Sequence, residues 1–245
     1  MEENFEIPAV NGVLGLFNGI KKYGPQIERV SMVSSFGACI QLLPEHSDIV
    51  YDETTWSDVS PEMVANNPLL GYMYSKKVAE KTAWDFIENE KPNFKLTTFL
   101  PPLVIGPQVF EEFVKDKLEG SNGHAFNFVD MKVGEEYTPV FPALLPIHVR
   151  DVSQAIIKPF STDRLDGKRI ITIESIYNPQ IIVDKVHTFF PYVDGKMTVG
   201  NPGSQSALYK YDTSVSDKLL EQKFIPLDTQ IIETFSQFNS VNGNF

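Results

Sequence analysis

The chain has 245 residues, 42% of them hydrophobic, and a formal net charge of −11, which is apolar material enough for one large domain or two small ones. The negative balance argues against a nucleic-acid partner, whose affinity rests on lysines and arginines neutralising phosphates, and no run approaches the roughly 20 apolar residues of a membrane span. A single cysteine, Cys39, excludes an internal disulfide framework, reads as a small buried hydrophobe and fits a reducing, cytoplasmic setting.

The start, "MEENFEIPAV", is acidic and has none of the marks of a signal peptide. His46, His124, His148 and His187 are scattered without metal-ligand spacing, so no metal is expected. "IPAVNGVLGLFNGIKKYG" (7–24) places Pro8 near its start, apolar residues at 10, 13, 14, 17 and 20, and Gly24 at its end, the signals of a helix. "ERVSMVSS" (28–35) is a short β-branched run leading into small residues, a buried strand. A polar, loop-like region with Trp56 follows to about Leu70. A helix then runs to about Glu90 and stops before Pro92.

"FKLTTFL" (94–100) is a second strand, halted by Pro101 and Pro102, and "LVIGP" continues it into a turn at Gly106. "HVRDVSQAIIKPF" (148–160) predicts a helix after a short extended entry, and "GKRIITIES" (167–175) a third strand. Helix, strand, helix, strand, helix, strand is the alternation of a parallel α/β sheet. Residues 107–147 and 176–245 are mixed and rich in Phe and Pro, with a terminal helix in "LDTQIIETFSQF".

The second helix-forming stretch, "GYMYSKKVAEKTAWDF", contains two tyrosines and two lysines within six residues. A Y-x-x-x-K spacing is weak alone, since composition supplies on the order of one match by chance. The chain holds two, Tyr72/Lys76 and Tyr192/Lys196, and the second, "YVDGK", carries the Asp-Gly of a turn. On a helix of about 100° per residue, with Tyr72 at 0°, Lys76 falls near 40°, Ala83 near 20° and Phe86 near 320°. Tyr74 falls near 200° and Lys77 near 140° by the same count. Tyr72 and Lys76 are therefore expected on the core-facing stripe, where a lysine needs a role or a partner. An ammonium one turn from a phenol favours the phenolate, which suits the pair to general acid catalysis at a carbonyl oxygen. A serine hydroxyl is wanted as a second donor, and Ser34 and Ser35 end the first strand, where ligands of parallel sheets bind.

With "RVSMVSSFGAC", "GYMYSKKVAEKTAWDF", "LPPLVIGPQVF" and "IHVRDVSQAI" in this order, the chain resembles the extended short-chain dehydrogenase/reductases. It is most similar to their fungal group of NADPH-dependent methylglyoxal, aldehyde and ketone reductases, which are related to plant dihydroflavonol reductases. The likeness covers nearly the whole chain, including "VGNPGSQ" (199–205) and "SDKLLEQKF" (216–224). It implies an NAD(P)-binding Rossmann-type parallel sheet, here incomplete (1–106 and 148–175), with a smaller C-terminal substrate-binding lobe (107–147 and 176–245). It makes Tyr72 the proton donor and Lys76 its partner on the nicotinamide ribose. Ser35 becomes the substrate-positioning serine, with Ser34 the alternative. Pro101, Leu103 and Val104 line the nicotinamide, Ser121 touches the cofactor, and Asn11 supports the proton relay. The substrate is a small carbonyl compound and the cofactor NADP(H).

The family's Gly-rich phosphate turn has no counterpart in the sequence. "GVLGLFNG" (12–19) spaces glycines suggestively, but no strand precedes it, as a dinucleotide fingerprint requires. At about 30 residues per βα unit, the expectation is that about three units are absent ahead of Met1, which would then be an internal methionine. The first strand would present an open edge inviting self-association or a protein partner. Two other readings stand beside the reductase: an inactive reductase-like fragment serving as a binding module, and a nucleotide-sugar epimerase or dehydratase using the same tyrosine and lysine.

Overall fold

The structure is a computed structural model, and it describes residues 6–42, 48–64, 67–204 and 209–243. The chain divides into two compact units, each assembled from three segments. The first holds Met1–Pro102, Ser153–Thr172 and Lys210–Gln222; the second holds Leu103–Val152, Ile173–Tyr209 and Lys223–Phe245.

In the first unit, α1 (Ile7–Tyr23) begins with Pro8 in its first turn and closes where the Gly24 N–H returns to the Ile20 carbonyl. Lys21 and Lys22 sit in the last turn, favourable to the helix dipole. Strand β1 (Arg29–Val33) follows, and then a short 3-10 turn, Phe36–Ala38. The region expected to be loop contains a two-residue strand, β2 (Val50–Tyr51), and a single helical turn, α2 (Pro61–Val64). Helix α3 (Pro68–Glu90) starts where the Asn67 side chain accepts from the N–H groups of Leu69 and Leu70, with proline at the first position, where a missing N–H costs nothing.

Strand β3 (Lys95–Leu100) pairs in parallel with β1, from Arg29 opposite Lys95 to Val33 opposite Phe99. In the second unit, β4 (Leu103–Ile105) and α4 (Gly120–Ala125) precede β5 (Pro146–His148), and β4 and β5 form a parallel pair of their own. The "LVIGP" run is thus a separate strand, because Pro101 and Pro102 interrupt the ladder that it was expected to continue. The chain returns to the first unit within α5 (Val149–Ile157) and adds β6 (Arg169–Ile171) on the far side of β3, with Thr98 opposite Arg169. Strand β6 is shorter than its apolar run, and order β1-β3-β6 makes a three-stranded parallel sheet.

The second unit continues with α6 (Gln180–Phe189), which carried no sequence expectation. Lys210–Gln222, grouped with the C-terminal lobe on sequence, belongs to the first unit. There β7 (Lys210–Tyr211) pairs with β2, and the Ser216 hydroxyl of α7 (Ser214–Leu220) accepts the Ile171 N–H at 2.9 Å. The terminal helix, α8 (Leu227–Asn242), lies in the second unit and buries Ile231, Phe235 and Phe238 with Phe126 and Phe128 in that unit's core. Among the described residues no helix is long and apolar enough to cross a membrane.

Helix α3 contradicts the single-stripe expectation. Tyr74 is buried (7% exposed) whereas Tyr72 is 45% exposed. Two apolar clusters grip the helix on different sides: Met73 and Tyr74 pack with Val59 and Val64, while Ala83 and Phe86 pack with Phe17, Phe94 and Leu96. The buried face therefore rotates along the helix, and an angular count started at one end cannot follow it.

Candidate functional site

Strand β1 ends at Val33, and the backbone then turns sharply while staying tied to β3. The Ser34 N–H donates to the Phe99 carbonyl at 2.7 Å and the Phe36 N–H to the Pro101 carbonyl at 2.9 Å. Ser35, in extended conformation, caps the 3-10 turn by accepting the Gly37 N–H at 3.0 Å. A hydroxyl has one proton and two lone pairs, so this bond uses a lone pair and leaves the Ser35 O–H available to donate. The Ser34 hydroxyl is committed instead, donating to Glu80 Oε2 at 2.7 Å. Of the two serines, the geometry singles out Ser35.

Gly37 is where the turn meets α3. A β-carbon built there would stand 3.3 Å from Ser35 Oγ, 3.3 Å from Met73 Cγ and 3.7 Å from Tyr72 Cε1. Ser35 and the Tyr72 ring thus converge on one point, across a residue where even a methyl group would be crowded. One turn along α3, the Lys76 ammonium lies 5.8 Å from the centroid of the Tyr72 ring. Among the described residues neither the Tyr72 hydroxyl nor the Lys76 ammonium makes a hydrogen bond or ion pair within the protein. Tyr74, by contrast, gives its hydroxyl to Glu6 at 2.9 Å.

The other sequence candidates are placed as follows. Pro101 is buried at the end of β3 in the first unit. Leu103 and Val104 are half-buried on β4, and Ser121 is half-buried in α4, all in the second unit. Asn11 is exposed on α1. Tyr192, of the discarded second Y-x-x-x-K, sits in a 3-10 turn as its Asp-Gly implied. Among the described residues no group of His, Cys, Asp or Glu is arranged to hold a metal ion, and His46 lies outside them.

Sequence reasoning missed two contributors. Gly37, although inside "RVSMVSSFGAC", was given no role, and its place appears only when β1 and α3 are brought together. Glu80 could have been found, because it follows Lys76 by four residues and falls on the same side of the helix as Tyr72 and Lys76. A carboxylate there needs a buried partner, and Arg169 supplies one at 2.8 Å.

The chain is 35% identical over 243 residues to a putative NADPH-dependent methylglyoxal reductase of Candida albicans, covering 97% of this chain and 70% of the relative. It is 33% identical over 250 residues to the NADPH-dependent methylglyoxal reductase of Saccharomyces cerevisiae, covering 99% of this chain and 72% of that one. The chain belongs to the fungal methylglyoxal reductase family. The crystal structure of the yeast methylglyoxal/isovaleraldehyde reductase in complex with NADPH superposes with a TM-score of 0.90 at 33% identity, over all of this chain and 73% of the yeast one. The parallel sheet of the first unit is accordingly of the Rossmann type found in this family. No protein-family model matches the chain.

Proposed function

We propose that the chain is an NADPH-dependent carbonyl reductase that converts an aldehyde or ketone to the alcohol, with Ser35, Tyr72 and Lys76 as its catalytic residues. The observation that carries this reading is the convergence of Ser35 Oγ and the Tyr72 ring on Gly37, with the Ser35 proton left free. Two O–H donors side by side suit one carbonyl oxygen, which accepts both as negative charge develops on it. Tyr72 is half-exposed and can reach a ligand, whereas a buried tyrosine such as Tyr74 could not.

NADPH, when bound, supplies the hydride. The residues present fit such a group, since the free Lys76 ammonium beside Tyr72 can donate to a ribose hydroxyl. Ser35 orients the carbonyl by donating to its oxygen. Tyr72 gives the same oxygen its phenolic proton as the alkoxide forms, and Lys76 stabilises the phenolate left behind. Pro101, in the same unit, keeps the cofactor-lining role that the family resemblance assigns it.

The test is a fluorescence titration of the purified chain with NADPH, then assay on methylglyoxal and other small carbonyls, with Tyr72→Phe and Lys76→Ala alongside. Binding in the range of about 1–100 μM is expected. Lys76→Ala should weaken it about ten-fold. Tyr72→Phe should keep binding but lose on the order of 10²–10⁴ in kcat, the share of a positioned general acid. A folded chain that binds no NADPH up to millimolar concentration would overturn the reading.

A further inference from the structure

Glu80 is fully buried (0% exposed) and ionisable, a placement that costs heavily unless the charge is matched. It is matched by Arg169 of β6, whose Nε donates to Oε1 at 2.8 Å and whose Nη2 donates to Oε2 at 3.3 Å, a forked pair. Thr98 of β3 donates to Oε1 at 2.7 Å, and Ser34 donates to Oε2 at 2.7 Å. Arg169 is itself anchored, since Nη1 donates to the carbonyls of Glu53 and Thr55 and the guanidinium stacks 3.7 Å from the centre of the Trp56 ring.

A buried ion pair of this kind gives little stability over well-packed apolar side chains. What it does supply is a fixed geometry. One carboxylate joins α3 to all three strands of the sheet: β1 through Ser34 at its end, β3 through Thr98 and β6 through Arg169. Backbone bonds hold the Ser34–Phe36 turn to β3, but the Ser34–Glu80 bond ties it to the helix that carries Tyr72. Tyr72 lies two turns before Glu80 on that helix, and Ser35 directly follows Ser34.

We infer that Glu80, held in place by Arg169 and Thr98, is a positioning residue: through Ser34 it sets the Ser35 hydroxyl against Tyr72. This rests on the reading of Ser35 and Tyr72 as the reacting pair. Glu80 itself touches no substrate. It fixes the relative placement of two elements that approach each other at Gly37, and orientation of this kind is what a reacting pair depends on.

Ser34→Ala is the informative variant, because it removes one bond to Glu80 and leaves the Arg169 and Thr98 bonds intact. Two readouts are taken on the full chain. One is hydrogen exchange at the Gly37 amide without cofactor, compared with exchange in β3. The other is kcat and KM for methylglyoxal at saturating NADPH. Exchange at Gly37 is expected to rise by about ten-fold or more, the worth of a hydrogen bond to a charged group, with β3 unchanged. The kcat is expected to fall about ten-fold with KM within about two-fold, because orientation rather than binding is lost. In an active wild-type protein, a wild-type value for either Gly37 exchange or kcat in folded Ser34→Ala overturns the inference. If the wild-type chain reduces no carbonyl, the reductase reading fails by itself. The exchange measurement then decides the positioning alone: unchanged protection of Gly37 overturns it and lost protection supports it.

Discussion

Gly37→Ala is the sharpest probe of the site, because its structural and catalytic effects separate. The new methyl carbon stands 3.3 Å from both Ser35 Oγ and Met73 Cγ and 3.7 Å from Tyr72 Cε1. Gly37 is not among the residues at positive φ, so alanine is compatible with its backbone and restricts the unfolded chain, a gain of about 0.4–1 kcal/mol. Against this, contacts at 3.3 Å are tighter than the roughly 3.5–4.0 Å of relaxed carbon packing, and crowding of this kind costs about 1–3 kcal/mol. Met73 can absorb part of it through its flexible side chain. The net is a loss of about 1 kcal/mol, or a Tm lower by roughly 2–4 °C at this chain length. The methyl also wedges between the two donors, and a shift approaching 1 Å in a reacting group costs on the order of 100-fold in rate. Steady-state kcat/KM on a carbonyl substrate and a thermal melt, taken together, check both halves. A folded Gly37→Ala protein whose kcat/KM stays within about three-fold of wild type would refute the placement of the reaction at this point.

Two further outcomes follow from buried titratable groups. His148 accepts the Arg150 N–H on Nδ1 and so presents its Nε2 proton to Glu233, and burial holds its imidazole below the usual histidine range, with Arg150 adding to the effect and Glu233 opposing it. The unfolded chain therefore takes up the proton first, so this contribution to stability is full above about pH 6.5 and lost as pH falls below it; urea unfolding at pH 8, 6 and 5 should show the loss, and His148→Gln should flatten it. Cys39 is fully enclosed and burial pushes its thiol up to about 12, so a thiol reagent at pH 8 should label it only at the rate of unfolding, and rapid labelling of the native chain would contradict that.

Local signals carried most of the first unit's layout. Pro8 and Gly24 bracket a helix observed at Ile7–Tyr23, and Pro92 ends one observed at Pro68–Glu90. These are backbone effects that act within a few residues, so the sequence expresses them directly. What it does not express locally is long-range pairing. Strands β2 and β7 are two residues each and exist only because Val50–Tyr51 meets Lys210–Tyr211. Helix α6 escaped because its segment was read only as mixed and rich in Phe and Pro. The assignment of Tyr72 to the buried stripe failed for a similar reason, since two clusters from different parts of the chain pack on different sides of α3. The family resemblance preferred Ser35 to Ser34, but local spacing could not, because the physical distinction depends on which hydroxyl Glu80 captures. The Tyr72/Lys76 pair was legible because one helix carries both.

The Glu80–Arg169 pair also orders events during synthesis. The arginine is made 89 residues after the glutamate, a wait of roughly 5–20 s at ribosomal rates. Until then Glu80 has no counter-charge, and a folded α3 seated on β1 and β3 would bury a bare carboxylate, so the nascent helix keeps that face in water. The sheet can close only when β6 arrives with its guanidinium. A ribosome-bound chain should therefore gain protease resistance in this unit abruptly, after residue 169 clears the exit tunnel, and not gradually as each strand emerges.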